Sequence, residues 1–144
     1  MSELNTKARK IVDYMLKNDP FSQWLNIELI DIKPGDVSLK CTIRQEMLNG
    51  FSILHGGIYY SLADSALAFA ANGYGQQSKS IETSISHLKP CAQNDVLTAS
   101  VKEIQRGFKT ALYQVEIHNQ NQELVALFKG TVYISSKTWD TILS

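Results

Sequence analysis

The sequence has little cysteine and no apolar run long enough to cross a membrane. Its two cysteines, Cys41 and Cys91, form no CxxC pair and have no histidine at metal-ligand spacing, so we expect reduced thiols and a cytoplasmic protein. The most apolar stretch, residues 58–71, is too short to span a bilayer and contains Asp64. The first 20 residues have no long apolar core, so we expect no secretory signal peptide.

The sequence also has no excess of positive or of negative charge. The 14 basic and 14 acidic side chains give a formal net charge of +0. Because no basic stripe is visible, we do not expect nucleic acid to be a partner. A length of 144 residues, with 44% apolar and 19% charged residues, is typical of one globular domain.

Motifs of several common enzyme classes are missing. The sequence has no GxSxG nucleophile elbow, no Walker P-loop and no GxGxxG motif. The three histidines, His55, His87 and His118, are scattered without ligand spacing. We therefore expect neither a metal site nor a cofactor.

The periodicity predicts a helix, two strands, a buried helix and four further strands. Residues 5–18 have helical apolar spacing, and we expect Pro20 to end that helix. Residues 57–72 are apolar almost all round, which is typical of a buried helix. A curved antiparallel sheet wrapped around this helix would cover it. Residues 45–54 are predicted to form a loop that includes up to one helical turn. The predicted strands are 27–33, 37–44, 79–88, 95–104, 110–118 and 124–134.

The stretch from His55 to Asp64 is the most informative for chemistry. A His55-Gly56-Gly57 turn opens the long helix, and glycine lets the backbone approach a ligand closely. Unpaired N–H groups at a helix start favour anions and polarised carbonyl oxygens. Asp64 follows about two turns later, roughly 10 Å away, among apolar neighbours that make an unused acid costly. This combination indicates acyl chemistry.

Each of these residues also has a structural interpretation. Asp64 could face solvent or bond to another helix, His55 could simply cap the helix, and the glycines could simply make a tight turn. Asn49 could form an Asn-Gly turn, or its amide could position water or an acyl carbonyl. If the Gly56 N–H points at an acyl oxygen, it could lower the barrier by roughly 3 kcal/mol.

The sequence resembles the PaaI-type hotdog thioesterases, a family associated with phenylacetate degradation. The resemblance runs from about Pro20 to Ile134. The motifs that carry it are Asn49-Gly50, His55-Gly56-Gly57, Leu62-Ala63-Asp64-Ser65-Ala66, Phe69-Ala70-Ala71-Asn72, the strand end Leu88-Lys89-Pro90 and the last strand Val125-Ala126-Leu127-Phe128-Lys129-Gly130. Where some hotdog thioesterases have a hydroxyl residue one turn beyond the acid, this sequence has Ala68.

The resemblance implies an α+β hotdog fold, in which a curved antiparallel sheet of five to six strands wraps a central helix. The whole of residues 1–144 would form one thioesterase domain, with an N-terminal helix at 1–20 and the central helix at 57–73. It also implies homodimers whose sheets join edge to edge, often paired into homotetramers. The active site would lie at the dimer interface.

The resemblance also implies roles for single residues. Asp64 of one subunit would act as a general base or as a nucleophile, and the sequence leaves both open. The partner would supply the Gly56 N–H to polarise the thioester carbonyl. Asn49 would hold water or the carbonyl, and His55 would support the loop.

Substrate contacts are predicted around the same helix and on the surface. The candidates for an apolar acyl pocket are Phe51, Ile53, Tyr59 and Tyr60, each of which could equally be a core or interface residue. An aryl-acetyl or a medium-chain acyl group would fit. Gly57 and Ser65 are further candidates. The coenzyme A phosphates would meet Lys89, Arg106 and Lys109, which could instead be solvated surface charges.

The sequence therefore predicts an acyl-CoA thioesterase without metal or cofactor. One alternative is a hotdog dehydratase acting on carrier-bound acyl chains, which would need a histidine placed to take a carbon-bound proton. Only His55 is close to the predicted site in sequence. The other alternative is a non-catalytic acyl-CoA-binding module, which would gain nothing from the acid at Asp64.

Overall fold

The computed structural model describes residues 2–143 as a six-stranded antiparallel sheet with one long helix packed against it. The predicted α+β arrangement of a central helix, an N-terminal helix and an antiparallel sheet is confirmed. The elements are α1 (Glu3–Lys17), α2 (Pro20–Leu25), β1 (Glu28–Lys33), β2 (Asp36–Thr42), a 3₁₀ turn (Gln45–Met47), α3 (Gly56–Asn72), β3 (Gln76–His87), β4 (Val96–Arg106), β5 (Thr110–His118), β6 (Leu124–Thr138) and α4 (Asp140–Leu143).

The sheet runs in the order β1-β2-β4-β5-β6-β3, and all its strand pairs are antiparallel. Alternate residues of β5, Tyr113, Val115 and Ile117, are buried against the core, as the period-two pattern predicts. Within the described residues β3 pairs with β6 alone, which leaves its other side unpaired. β3 is 12 residues long, so the sheet ends in a long open edge.

Helix α3 lies across the sheet and forms the centre of the core. It contacts β2, β3, β4, β5 and β6. Helix α1 packs against α3 and β1 through a face that buries Ala8, Ile11 and Val12. The prediction that α3 is buried on most sides is confirmed, since its buried residues are Ile58, Tyr59, Leu62, Ala63, Ala66, Leu67, Phe69, Ala70, Ala71 and Asn72.

The N-terminal segment contains two helices rather than the single one predicted over 1–20. Helix α1 ends at Lys17, and Pro20 then begins α2 at its first helical position. Proline is well tolerated there because the first turn has no acceptor for its missing N–H. Asp19 caps α2 by accepting the backbone N–H of Ser22 at 3.0 Å.

The last strand is longer than predicted. β6 continues four residues past Ile134 to Thr138, where it pairs with the start of β3 at Gln76. These added residues are mostly polar and exposed, so they lack the apolar alternation that marks a half-buried strand. None of the helices described within residues 2–143 is long and apolar enough to cross a membrane.

Candidate active site

His55 caps the N-terminal end of α3. Its Nδ1 accepts the backbone N–H of Gly57 at 2.9 Å, and its carbonyl oxygen accepts the N–H of Ile58 at 3.0 Å. Because Nδ1 acts as an acceptor, a neutral His55 ring carries its proton on Nε2. Within one chain, His55 therefore acts as the N-cap of α3.

The backbone N–H of Gly56 is a free donor at this helix start. His55 accepts the N–H groups of Gly57 and Ile58, whereas the Gly56 N–H has no acceptor anywhere in residues 2–143. A Cβ added to Gly56 would lie 3.3 Å from Cε1 of His87, so a larger residue would have to push that ring aside. The arrangement suits a ligand oxygen approaching the helix end.

A cavity of about 260 Å³ lies in front of Gly56. Tyr59 and Lys89 line it, as does Ile53 from the preceding loop. The buried Tyr59 hydroxyl donates to the backbone carbonyl of Lys89 at 2.9 Å, which ties α3 to the end of β3. The structure thus brings together Gly56, Tyr59, Lys89 and Ile53, four of the residues predicted from sequence.

His87 also lines this cavity, and the sequence analysis gave it no role. Its ring stands edge-on to Tyr59, with 5.1 Å between ring centroids. Neither ring nitrogen bonds to any other residue that the structure describes. The available signal was its position directly before Leu88-Lys89-Pro90, one of the motifs that carry the family resemblance.

Asn49 organises the loop that leads into α3. Its Oδ1 accepts the backbone N–H of Phe51 at 2.9 Å and that of Ile53 at 3.4 Å. Its carbonyl oxygen accepts the N–H of Ser52 at 3.0 Å, so the Asn-Gly turn, one of the two roles considered for Asn49, is present. Its Nδ2 makes no hydrogen bond within the described part of the chain. Phe51 lies at the loop tip with 86% of its surface exposed.

Asp64 lies half-buried on α3, a little over two turns beyond Gly56. Its carboxylate makes no hydrogen bond or ion pair with any residue between 2 and 143, so the bond to another helix that was considered as its structural role is absent from that range. Burial raises the pKa of this carboxyl, and the nearby charge of Asp19 raises it further. These are the features of a carboxylate able to act as a base.

Asp64 lines a second cavity, of about 340 Å³. Leu67 and Ala68 of α3, Met15 of α1 and Trp139 after β6 are among its other lining residues. The predicted acyl-pocket residues lie elsewhere: Phe51 is at the loop tip, and Ile53 and Tyr59 border the Gly56 cavity. Tyr60 hydrogen-bonds to Thr83 at 2.8 Å and packs on Phe128.

Ser65 faces helix α2 rather than either cavity. Its hydroxyl lies 2.8 Å from that of Ser22, which in turn donates to Asp19 at 2.6 Å. Since Ser22 has one hydroxyl proton, Ser65 is the donor of the pair. Within one chain, Ser65 therefore links α3 to α2.

The three cations predicted to meet phosphates lie in two places. Lys89, which lines the cavity beside the N-terminal end of α3, forms an ion pair with Glu123. Arg106 covers the ring of Tyr74, just past the other end of α3, at 3.8 Å from the ring centroid. Lys109 is exposed on the adjoining β4–β5 turn. One chain does not bring these three residues together.

The side chains able to bind a metal or to act as a sulfur nucleophile do not form a further site in the described residues. The residues that the structure describes contain no set of three or more His, Cys, Asp or Glu side chains able to hold a metal ion. Cys41 and Cys91 are free and buried, and burial raises the pKa of both thiols. Neither thiol is therefore activated as a nucleophile.

Comparison with known proteins identifies the family. Residues 51–126 match the thioesterase superfamily. The chain belongs to this superfamily. The thioesterase is 36% identical over 127 residues to the acyl-coenzyme A thioesterase PaaI of Escherichia coli, an alignment that covers 88% of this chain and 91% of that protein. It is 40% identical over 126 residues to a putative esterase of Archaeoglobus fulgidus, covering 88% and 82% of the two chains.

Solved structures agree with this assignment. The Escherichia coli PaaI protein from the phenylacetic acid degradation operon matches the thioesterase with a TM-score of 0.92 and 35% identity, covering 94% of this chain and 99% of that one. A hypothetical thioesterase of Streptococcus pneumoniae, solved with coenzyme A, matches with a TM-score of 0.76 and 25% identity, covering 78% and 91%. The predicted resemblance to PaaI-type hotdog thioesterases is confirmed, and the roles of single residues stay predictions.

Proposed function

We propose that this thioesterase hydrolyses an acyl-CoA thioester to a free acid and coenzyme A, with Asp64 and the Gly56 N–H acting on the reacting atoms. The observation that carries the proposal is one helix that holds both an unpartnered, half-buried carboxylate and a start with an unpaired N–H. The relatives named as acyl-CoA thioesterases support the substrate class.

The chemistry follows from these two groups. Ionised Asp64 takes a proton from water, and the resulting hydroxide attacks the thioester carbonyl carbon. Alternatively, the carboxylate attacks directly, and water then hydrolyses the mixed anhydride. In both routes negative charge develops on the carbonyl oxygen, where the Gly56 N–H and the positive end of the helix stabilise it. The carbon–sulfur bond breaks and the departing sulfur takes up a proton.

We place Asp64 and Gly56 of each active site on different subunits of a homodimer. Within one chain they line separate cavities, more than two helical turns apart. The Asp64 cavity is bordered by Lys79 and Ser80 of β3, the strand with the open edge, and such edges pair readily with another chain. Pairing of two dimers would give the homotetramer, and the reduced cysteines fit a cytoplasmic protein.

The Gly56 cavity would take the thioester and the adjoining part of coenzyme A. Both Gly56, with its unpaired N–H, and Lys89 line this cavity, so a thioester bound at Gly56 would have a cation nearby for the phosphates of coenzyme A. Asn49, whose Nδ2 makes no hydrogen bond in the described residues, lies in the loop that supplies Ile53 to the cavity. Arg106 and Lys109 could contribute only where a second subunit brings them near.

Dehydration of carrier-bound acyl chains is the second candidate function, and His87 is the observation that favours it. The sequence argument against a dehydratase was that only His55 is close to the site, but the structure adds the His87 ring beside Gly56. Incubation with a 3-hydroxyacyl thioester separates the two reactions, since a dehydratase gives an enoyl thioester and a thioesterase gives free thiol.

The test of the proposal is an assay of the purified protein with acyl-CoA substrates, in which a thiol reagent measures released coenzyme A. Asp64→Ala and Asp64→Asn should each lower kcat/KM by about 10²-fold or more, because general-base catalysis is worth about that much. Size-exclusion chromatography and circular dichroism should show an unchanged fold and assembly. Full activity in either variant would contradict the assignment of Asp64.

A further inference from the structure

We propose that the cavity beside Asp64 holds the acyl group of the substrate and that Trp139, one of its lining residues, limits the length of that group. The cavity would admit a compact apolar acyl group, such as an aromatic ring or a medium-length chain, and would exclude long fatty acyl chains. This inference rests on the proposed function, because it takes Asp64 as the group that acts at the thioester.

The lining of the cavity suits a hydrocarbon. Met15, Leu67, Ala68 and Val132 give it an apolar wall, and they come from three different elements that surround Asp64. Its volume of about 340 Å³ is at the lower end of the roughly 300–1,000 Å³ typical of small-molecule pockets. An acyl group that reaches Asp64 can therefore place its apolar part here only if it is compact.

Trp139 is held in place by two hydrogen bonds and one ring contact. Its indole Nε1 donates to Oδ1 of Asn72 at 3.0 Å, and its backbone N–H donates to the carbonyl of Gly75 at 2.9 Å. The ring of Tyr14 meets it edge-on, with 6.0 Å between centroids. A side chain held in this way acts as a rigid wall rather than one that moves aside for a longer chain.

Asn72 connects this wall to the helix that carries Asp64. It is 2% exposed, and its Oδ1 accepts from Ser78 as well as from Trp139. Its Nδ2 donates to the carbonyls of Ala68 and Ser78 at 2.8 and 2.9 Å. The depth of the cavity is thus fixed relative to Asp64 by bonds within and next to α3.

The residues that set this depth differ from those predicted from sequence. Phe51, Ile53 and Tyr59 belong to the loop and to the Gly56 cavity, where the thioester and pantetheine would pass. Trp139 lies 75 residues after Asp64 in the chain and past the last strand. We therefore assign acyl selectivity to the segment after β6 and to the α1 face rather than to the loop at 49–54.

Two variants with opposite expected effects test the inference. Trp139→Ala should deepen the cavity and raise the ratio of kcat/KM for palmitoyl-CoA to that for phenylacetyl-CoA by about tenfold or more, since each methylene in an apolar pocket is worth about that factor. Ala68→Leu should fill the cavity and lower kcat/KM for phenylacetyl-CoA relative to acetyl-CoA. Trp24→Ala, which removes the other tryptophan from outside the cavity, is the matched control and should leave the ratios unchanged.

The outcomes separate this inference from the proposed function. If Asp64→Ala abolishes hydrolysis but neither Trp139→Ala nor Ala68→Leu changes the acyl preference, the acyl assignment is overturned and the thioesterase site stands. If Asp64→Ala retains full activity, the assigned site fails and the acyl assignment fails with it. Should Trp139→Ala not fold, Ala68→Leu decides the question alone.

Binding provides a readout that does not depend on turnover. Trp24→Phe leaves Trp139 as the single tryptophan of the chain, and adding Asp64→Asn prevents hydrolysis during titration. Phenylacetyl-CoA should then change the emission of Trp139, whereas coenzyme A alone should not. An equal response to both, or a response to neither, would contradict placement of the acyl group against Trp139.

Discussion

At the scale of single residues, Asp64 is an acid in a place that disfavours its charge. Burial is the larger cause of its raised pKa, and the neighbouring Asp19 carboxylate is the second. A raised pKa gives a more basic carboxylate, which is what removal of a proton from water requires. Because only the ionised form could act as the proposed base, the same shift should place the acid limb of the pH–rate profile above the range of an ordinary aspartate.

Asp19→Asn should move that limb to lower pH. Removing the like charge lowers the pKa of Asp64, so a larger fraction of the enzyme is ionised at acidic pH. Asparagine remains a good N-cap for α2, so the helix should be retained. A profile of kcat/KM against pH checks this expectation. A limb that stays in place, or moves to higher pH, would show that the charge of Asp19 does not set the titration that limits the rate.

Gly56→Pro removes the proposed oxyanion donor with little effect on the helix. Gly56 is the first residue of α3, where proline is favoured, and the extended backbone of His55 suits a following proline. Gly56→Ala is the control, since it adds the same Cβ beside His87 but keeps the N–H. We expect the proline variant to have a kcat about 10²–10³-fold below that of the alanine variant. Equal rates in the two variants would exclude the Gly56 N–H from catalysis.

At the scale of elements, the contribution of the His55 cap to the stability of α3 can be measured separately from any role of the helix start in catalysis. His55→Ala removes the acceptor for the Gly57 N–H and should lower the free energy of unfolding by about 1 kcal/mol. Serine can accept the same bond, so His55→Ser should restore most of that loss. Urea denaturation of the three proteins makes the comparison. Equal stability of the alanine variant and the wild type would mean that the cap contributes nothing.

The elements that sequence predicts well are those whose pattern follows from local burial. Helix α3 has a glycine start and apolar residues on all sides, and β5 alternates because one face meets the core. Helix α2 is only six residues long, too short for a periodic pattern to stand out. The polar end of β6 is a strand because β3 pairs with it, and that pairing is not visible in the local sequence.

The parts of the candidate site that sequence cannot predict depend on distant segments meeting. Asp64 and Gly56 lie in one helix with a distinctive local pattern, so they could be singled out. His87 meets Gly56 from the far end of β3, and Trp139 reaches Asn72 from 67 residues away. Such contacts depend on how the sheet closes over α3 rather than on the neighbours of either residue in sequence.

At the scale of the whole molecule, the proposed active site consists of two halves that one chain keeps apart. The Gly56 N–H and the Asp64 carboxylate belong to different cavities, and the sheet ends in the open edge of β3 beside the Asp64 cavity. A twofold axis that crosses that edge at a right angle to β3 would apply the same pairing to both subunits and create two equivalent sites. Each active site would then use one group from each chain.

Complementation between two inactive variants tests this central claim most directly. Asp64→Asn and Gly56→Pro are co-expressed with different affinity tags, and assemblies that contain both chains are isolated. If each site combines Asp64 of one subunit with Gly56 of the other, one of the two sites in a mixed dimer is intact, and thioester hydrolysis should recover to about half of the wild-type rate. Mixed assemblies no more active than the separate variants would contradict a shared active site.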